Sequence, residues 1–436
     1  MSIVVKKLVI ILADFSLAVL ALVLMVMVRY SEGINVQFSV HLIPFSILFL
    51  IWIFIFYLAD LYRLSMFRTE LSIAKSLFQA LIISGIVSII VLYLFPELFK
   101  LTPKTNLLVV GILFFILDYL LRLTIFRFVA SGRTPLIILG NSPLIQETIT
   151  YIEKNPQVGY RVKEWIKEIP NEHEHALFDA IKKANVGTII LSPQLANESY
   201  ATSSLFALLP LNILVINFLD FYETLFDKVA LREINTEWFV HHISTRRNLY
   251  DTAKRCIDVF LSLILGVIFL PIIFFIGILI LLSSRGWAIF PQKRMGKNGN
   301  EFILYKFRTM KKNSEGPLWT EKGDMRVTAI GKILRFTHLD ELPQLWNILK
   351  GDISFTGPRP ERTELAEQYR KFPYYDVRHI VKPGLTGWAQ INFRPSASFE
   401  EAYEKLTYDI YYVKNRSLFL DLLIILRTIR YIFTSH

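Results

Sequence analysis

Four long apolar runs fill the first third of this 436-residue chain: roughly Leu8–Val28, Leu42–Leu58, Leu77–Phe95 and Leu107–Phe126. Each approaches the roughly 20 residues that an α-helix needs to cross a bilayer. Lipid offers the backbone no hydrogen-bond partner, so such runs are read as helices that satisfy their own N–H and C=O groups. A composition that is 53% hydrophobic and 14% aromatic agrees, since it exceeds ordinary globular usage. No signal-peptide cleavage pattern follows the first run, which is expected to be a retained anchor. Loop charges orient the bundle. Lys6 and Lys7 precede the first run, Arg63, Arg68 and Lys75 lie between the second and third, and Arg127 and Arg133 follow the fourth. The opposite side has Arg29, Lys100 and Lys104, so both ends of the bundle are expected in the cytoplasm. Asp118 and Arg122, four apart in the fourth run, share one helix face and can neutralise each other. A structural salt bridge is expected there rather than a transport site.

The net charge of +11 suits a positive-inside membrane protein, and the same cations could meet anionic substrates or lipid headgroups. No basic-aromatic module appears, so nucleic acid is not an expected partner. Cys256 is the only cysteine, which excludes a disulfide framework and a cysteine metal cluster.

From Thr134 the texture changes. PLIILGNS reads as a buried strand ending in a turn, PLIQETITYIEKN as a helix, and GYRVKEWI as a second strand. ALFDAIKKANVGTIILS reads as helix then strand, and LNILVINF as another strand. Strands alternating with helices predict a parallel, Rossmann-like α/β domain over residues 134–245. Gly140-Asn141-Ser142 sits where a dinucleotide-binding loop would lie but lacks the further glycines. A structural or regulatory domain is therefore expected over a nucleotide site. Tyr151 and Lys154 are three apart, not the four of a short-chain dehydrogenase pair. His173 and His175, and the doublet His241-His242, lack partners at metal-ligand spacing.

The fifth apolar run, Val259–Ser283, is long enough to span. Both flanks are basic, with Arg246, Arg247, Lys254 and Arg255 before it and Arg285, Lys293, Arg294 and Lys297 after it. Charge rules place both flanks on one side. Pro271, at its middle, removes a helix hydrogen bond and favours a kink. A re-entrant hairpin over 254–284 satisfies both observations; a straight fifth crossing is the alternative.

Beyond Gly286 come the polar motifs. KRMGKNGNEF is turn-rich, and ILYKFRTM is a short strand holding Lys306 and Arg308. In HLDELPQLWN, Asp340 and Glu341 are adjacent acids. Thr337 with Asp340 fits a capping-box spacing, and Pro343 belongs to a first helical turn. Acids at a helix N-terminus stay ionised, and one can be a nucleophile while its neighbour ligates a hard cation. Magnesium suits such a site, because it takes few protein carboxylates and completes its shell with phosphates and water. Two solvated capping acids are the plain alternative.

The ordered set YKFRTM, DMRVTAIGKILR, LDELPQLWNILKGDISFTGPRPE, KPGLTGWAQIN and YDIYYVKNRSLFLDLLIIL, with the proline-broken apolar run, resembles the catalytic domain of monotopic polyprenyl-phosphate phosphoglycosyl transferases. The resemblance runs from about Leu249 to the C-terminus, and the preceding bundle and α/β domain look like the large hexose-1-phosphate transferases of that family. It implies a membrane protein of α plus α/β class: a four-helix transmembrane bundle over 1–130, the Rossmann-like domain, and a monotopic α+β catalytic domain over 249–436 with the re-entrant hairpin. It implies that Asp340 is the nucleophile on a nucleoside-diphosphate sugar, giving an aspartyl phospho-sugar intermediate, with Glu341 helping Asp340 hold Mg2+ and assisting deprotonation of the lipid phosphate. Lys306 and Arg308 match the family's KFR motif, Arg359 its phosphate-binding arginine, Asp409 a further acidic position, and Pro271 the helix-breaking proline. The implied partners are undecaprenyl phosphate, a UDP-hexose and membrane lipids, at the cytoplasmic face of a bacterial inner membrane. The middle domain is the candidate homodimer contact.

Pro291 and Phe393 depart from the family's usual residues near the pockets and leave the sugar open. Trp319, Trp346 and Trp388 read as packing or interfacial residues. Arg326 and Arg335 could bind phosphate or pair with Asp324 and Asp352. LFLDLLIILRTIRYIF reads as an amphipathic helix on the membrane, with a core helix as the alternative. Two other classes compete: an inactive membrane scaffold or regulator, and a nucleotide-sugar oxidoreductase.

Overall fold

The computed structural model describes residues 3–30, 32–62, 70–96, 104–131, 133–168, 186–196, 213–243, 247–283, 286–311, 326–393 and 398–434. The helix expected within ALFDAIKKANVGTIILS, His173, His175, Trp319 and Asp324 lie outside the described residues. The chain divides into two compact units, Met1–Phe218 and Leu219–His436.

In the first unit the apolar runs become α1 (Ile3–Arg29), α2 (Ile34–Leu58), α3 (Glu70–Leu94) and α4 (Lys104–Ser131). Each is long and apolar enough to cross a membrane. The bundle is apolar on its outside as well as its inside, as lipid requires. Leu22, Met25, Phe45, Phe49, Trp52, Phe56 and Phe114 form its core, while Leu12, Ile43, Leu50, Ile86 and Leu108 face outward. Several polar groups inside it are paired. Trp52 Nε1 donates to Ser88 Oγ at 2.8 Å, and that hydroxyl donates to Ser84 O at 2.7 Å. Arg122 pairs with Asp118 at 2.9 Å, and also with Asp14 at 2.7 Å. Its Nη1 donates to Leu61 O at 2.6 Å.

The same unit holds a parallel sheet in the order β2-β1-β3-β4, from β1 (Thr134–Leu139), β2 (Tyr160–Ile166), β3 (Thr188–Leu191) and β4 (Leu214–Asn217). The continuous apolar residues of β1 and β3 are buried, as in a covered parallel sheet. Ser142 accepts from Ile145 N at 3.2 Å and so caps α5 (Pro143–Lys154). Gly140 has φ +119°, and a Cβ there would collide with Ser192. The turn is thus filled by protein, with Trp165 Nε1 donating to Gly140 O at 2.7 Å.

The division at 218/219 differs from the expected middle domain, which runs on to residue 245. Residues after β4 pack on the C-terminal unit instead. Glu223 pairs with Lys414 at 2.7 Å, Lys228 with Glu404 at 2.5 Å, and Asp227 O accepts from Trp388 Nε1 at 2.9 Å. The sequence change after LNILVINF is only from strand to helix, which does not reveal which body the helix joins. His241 and His242 lie on the short helix Thr236–His242, where His241 approaches Glu237 at 3.8 Å. Among the described residues no three or more His, Cys, Asp or Glu side chains cluster as a metal site.

The second unit is built around the long apolar helix Asn248–Ser283, with Pro271 inside it. Its first half packs Leu261 and Leu265 against Leu304, Leu345, Ile348, Ile353 and Phe355. Its second half packs Ile276 and Ile280 against Phe307 and Leu334. Between these halves Val267, Leu270, Phe274 and Phe275 are exposed. An antiparallel hairpin follows, β5 (Ile289–Met295) with β6 (Glu301–Phe307), then a short parallel pair, β7 (Ser354–Thr356) with β8 (Gly384–Thr386). The C-terminal helix Leu418–Thr434 buries Leu420, Leu423 and Ile424 and exposes Phe419, Leu422 and Ile429, so it is apolar on two faces.

Candidate active site

Asp340 and Glu341 lie in a single 3-10 turn, Leu339–Glu341, between helices Ala329–Phe336 and Gln344–Lys350. The turn is nailed down by its apolar members. Leu339 and Leu342 pack against the cluster of Ile276, Ile280, Phe307 and Leu334, so the membrane helix itself supports the acids. The capping box expected from Thr337 and Asp340 does not form. Thr337 Oγ1 donates back to Ile333 O at 2.8 Å, because Thr337 is the C-terminal cap of helix Ala329–Phe336 rather than the start of the next one. His338 makes the break with φ 55°, a left-handed conformation that costs a non-glycine residue about 1 kcal/mol.

Lys306, at the end of β6, reaches Glu341 Oε1 at 2.7 Å. Arg359 reaches the same oxygen at 3.1 Å. Burial alone would raise the Glu341 carboxyl, but Lys306 and Arg359 outweigh it and hold the group down at about 2. Asp340 is pushed the other way: burial, and then the Glu341 charge, raise it. Lys306, Arg335 and His338 oppose that rise without cancelling it. The Asp340 carboxylate accepts no hydrogen bond from the described residues and is half-buried. Adjacent acids with opposite shifts are suited to different tasks.

A second layer fixes the first. Asn347, fully buried, accepts from Tyr305 N at 3.0 Å and donates to Ile303 O at 2.7 Å, which locks β6 to the helix after Glu341. Arg378 donates to Arg359 O at 2.8 Å and pairs with Asp409 at 2.8 Å. Arg294 donates to Pro360 O at 2.9 Å. Gly357 N donates to Thr386 O at 2.9 Å, and a Cβ on Gly357 would collide with the Lys382 carbonyl, so the segment before Arg359 lies tight against β8.

The expected residues therefore divide. Asp340, Glu341, Lys306 and Arg359 converge. Asp409, 2% exposed, touches Arg378 rather than the acids and acts on Arg359 only through that arginine. The Arg308 guanidinium lies against Gly286, just beyond the membrane helix, and is not among the cations paired with Glu341. Pro271 lies on the exposed middle of that helix. Arg335 donates to Thr309 Oγ1 at 2.9 Å and does not pair with Asp352, which meets Lys350 at 3.3 Å. Trp388 is a buried packing residue, whereas Trp346 is 62% exposed. Asn347, Arg378 and Arg294 were not singled out from the sequence as site residues. Only their partners across the fold reveal them, and an Asn or Arg in a short motif gives no such signal.

Acids and cations so arranged are suited to phosphate groups, and an apolar helix packs at their back. This is the setting of a membrane transferase. Residues 249–435 match the bacterial sugar transferase family. Over 319 residues the chain is 31% identical to a UDP-glucose:undecaprenyl-phosphate glucose-1-phosphate transferase of Klebsiella pneumoniae, covering 70% of this chain and 69% of that protein. It is 44% identical over 190 residues to a UDP-N-acetylgalactosamine-undecaprenyl-phosphate N-acetylgalactosaminephosphotransferase of Aeromonas hydrophila, covering 43% of this chain and 45% of that protein. It is 39% identical over 190 residues to a UDP-glucose:undecaprenyl-phosphate glucose-1-phosphate transferase of Caulobacter vibrioides, covering 42% of this chain and 71% of that one. The chain belongs to the bacterial sugar transferase family.

Proposed function

We propose that this protein transfers a sugar-1-phosphate from a UDP-sugar to undecaprenyl phosphate, through an aspartyl phospho-sugar intermediate, to initiate exopolysaccharide, capsule or O-antigen assembly. The carrying observation is the pair of unlike acids: Asp340 without a hydrogen-bond partner among the described residues, beside Glu341 held by Lys306 and Arg359. An Asp340 oxygen attacks the phosphorus that bears the sugar. The P–O bond to the nucleotide breaks, and uridine monophosphate leaves with that electron pair. An oxygen of the lipid phosphate then attacks the same phosphorus and frees the Asp340 carboxylate. One site thus serves two anionic substrates in turn. Lys306 and Arg359 offset the charge that would otherwise repel both.

Asp340 and Glu341 fit Mg2+ as a donor set, since that ion takes one or two carboxylates and completes its shell with phosphates. When bound, it would neutralise phosphate charge. Lys306 and Arg359 take one Glu341 oxygen, which leaves Asp340 and the other Glu341 oxygen as its holders.

The cytoplasmic face is proposed from loop charge, and a re-entrant rather than spanning helix from the packing of both its halves. Arg255 donates to Ile348 O, while Ile276 lies in the cluster that holds Leu342. Leu342 and Ile348 are six residues apart along largely helical chain, about 10 Å, whereas a straight helix would set Arg255 and Ile276 about 30 Å apart. The sugar is open: the names of the relatives cover both glucose and N-acetylgalactosamine. To test the proposal, the protein is mixed with a panel of UDP-sugars labelled in the sugar, without acceptor, and quenched. Sugar phosphate bound covalently to Asp340, released on adding undecaprenyl phosphate, is expected. Product formation without any protein-bound label at short times would overturn the intermediate.

A further inference from the structure

A cleft opens beside the first turns of the membrane helix Asn248–Ser283, at the C-terminal end of helix Gln344–Lys350. Asp340 precedes the other end of that short helix, so its length, about 10 Å, separates cleft from acids. Lys254, Arg255, Lys297 and Lys382 line the cleft together with Asp251 and Asp258. Several of these charges have structural partners. Asp258 accepts from Ser354 Oγ at 3.0 Å and from Phe355 N at 3.2 Å. Lys254 pairs with Asp421 at 2.8 Å. Arg255 donates to the carbonyls of Ile348 and Leu349, both at 2.6 Å, which suits a helix C-terminus but leaves the guanidinium charge without an acid.

Lys382 is half-buried and makes no hydrogen bond or ion pair with any described residue. Its ammonium and the Arg255 guanidinium both lie over Gly351. A Cβ on Gly351 would lie 3.2 Å from Lys382 Nζ and 3.4 Å from Arg255 Cζ, and the residue has φ +95°. Burial, and then Arg255, push the Lys382 amine below the ordinary lysine range. Asp258 and Asp352 oppose that push without cancelling it, so these like charges, with Lys297 exposed beside them, favour a further anion between them. The cleft adjoins the membrane helix, where Leu249 and Phe260 expose apolar side chains.

We propose that Lys382, Arg255 and Lys297 form a second phosphate-binding site, separate from the Asp340 site, that takes the headgroup phosphate of an anionic phospholipid. A phosphate fits two convergent cations, and the root of an apolar helix is where a lipid headgroup would be met.

The test uses the full chain in bilayer discs of phosphatidylcholine with phosphatidylglycerol, extracted gently, with retained phosphatidylglycerol counted by native mass spectrometry. A parallel arm follows thermal melting with added inorganic phosphate. Wild type and the charge-keeping double variant Lys382→Arg/Lys297→Arg are expected to retain phosphatidylglycerol. The double variant Lys382→Glu/Lys297→Glu is expected to lose it several-fold while its circular dichroism is unchanged. A phosphate-induced melting shift that the glutamate variant lacks, without differential lipid retention, supports the anion site and assigns it to a free phosphate. Equal lipid retention and equal phosphate response in wild type and glutamate variant would overturn the site.

Discussion

Lys306 and Arg359 end on one and the same oxygen of Glu341, at 2.7 and 3.1 Å. They come from a strand end and a loop, and each is placed by backbone bonds that do not involve Glu341. The convergence is therefore built into the fold rather than made by Glu341 alone. Its consequence falls on the neighbour. With both cations committed to Glu341, Asp340 keeps a carboxylate that burial and the Glu341 charge make harder to ionise.

Asp340→Asn should lower release of uridine monophosphate by on the order of 10⁶-fold, as for loss of a covalent nucleophile. The same variant should melt at a higher temperature than wild type. A carboxyl raised by burial costs stability when it is ionised near neutral pH, and the amide removes that cost. Activity assays and melting curves on one preparation check both, and lower activity with a lower melting temperature would point to misfolding instead.

Glu341→Gln should do the reverse to stability. Its depressed carboxyl contributes stability that is complete above the ordinary carboxylate range and is lost as pH falls toward about 2. A shift from 4.5 to about 2 on this largely buried side chain corresponds to at most about 3 kcal/mol. Denaturant melts between about pH 5 and pH 2 should show this slope in wild type and a flatter one in Glu341→Gln.

The acid limb of the nucleotide-release rate should move to higher pH in Lys306→Met. Lys306 lowers the Asp340 carboxyl, so its loss lets that group rise further and protonate sooner as pH falls. A rate-versus-pH profile of the step without acceptor checks the direction. An acid limb at lower pH than wild type contradicts the assignment.

Asp409→Asn should cost about 3 kcal/mol, because it strips a buried partner from Arg378, which is 3% exposed. Turnover should fall through Arg359, whose carbonyl Arg378 holds. Asp409→Asn with Arg378→Met should recover much of the stability without recovering turnover. That split, read from melts and initial rates, separates a positioning role from a purely structural one.

The parts legible in the sequence are those whose information is local. Five apolar helices follow from run length, and the parallel sheet from strand-helix alternation. Asp340, Glu341, Lys306 and Arg359 could be read because each sits in a short motif. Partners joined across the fold could not. Asp118 and Arg122 are visible as a helical pair, but Asp14, 108 residues from Arg122, is visible only once α1 and α4 pack. Arg378 is one basic residue among many until Asp409 and the Arg359 carbonyl close on it. The capping box misled because Thr337 ends one helix while seeming, by spacing, to begin the next.

Both ends of the helix Asn248–Ser283 should be accessible from one side of the membrane. Leu249, in its first turn, and Trp287, just beyond its end, are 87% and 83% exposed, so a cysteine at either can react without unfolding the domain. In a Cys256→Ser background, Leu249→Cys and Trp287→Cys are labelled in sealed vesicles by a membrane-impermeant thiol reagent. Basic residues flank both ends, and Arg255 and Ile276 are tied to neighbouring turns of one helical segment. A helix bent at Pro271 satisfies these ties, whereas a straight crossing would separate them by the thickness of the bilayer core. Equal labelling from one side is expected. If one position reacted only from outside and the other only from inside, the helix would span and the bent reading would fail, whatever the chemistry at Asp340.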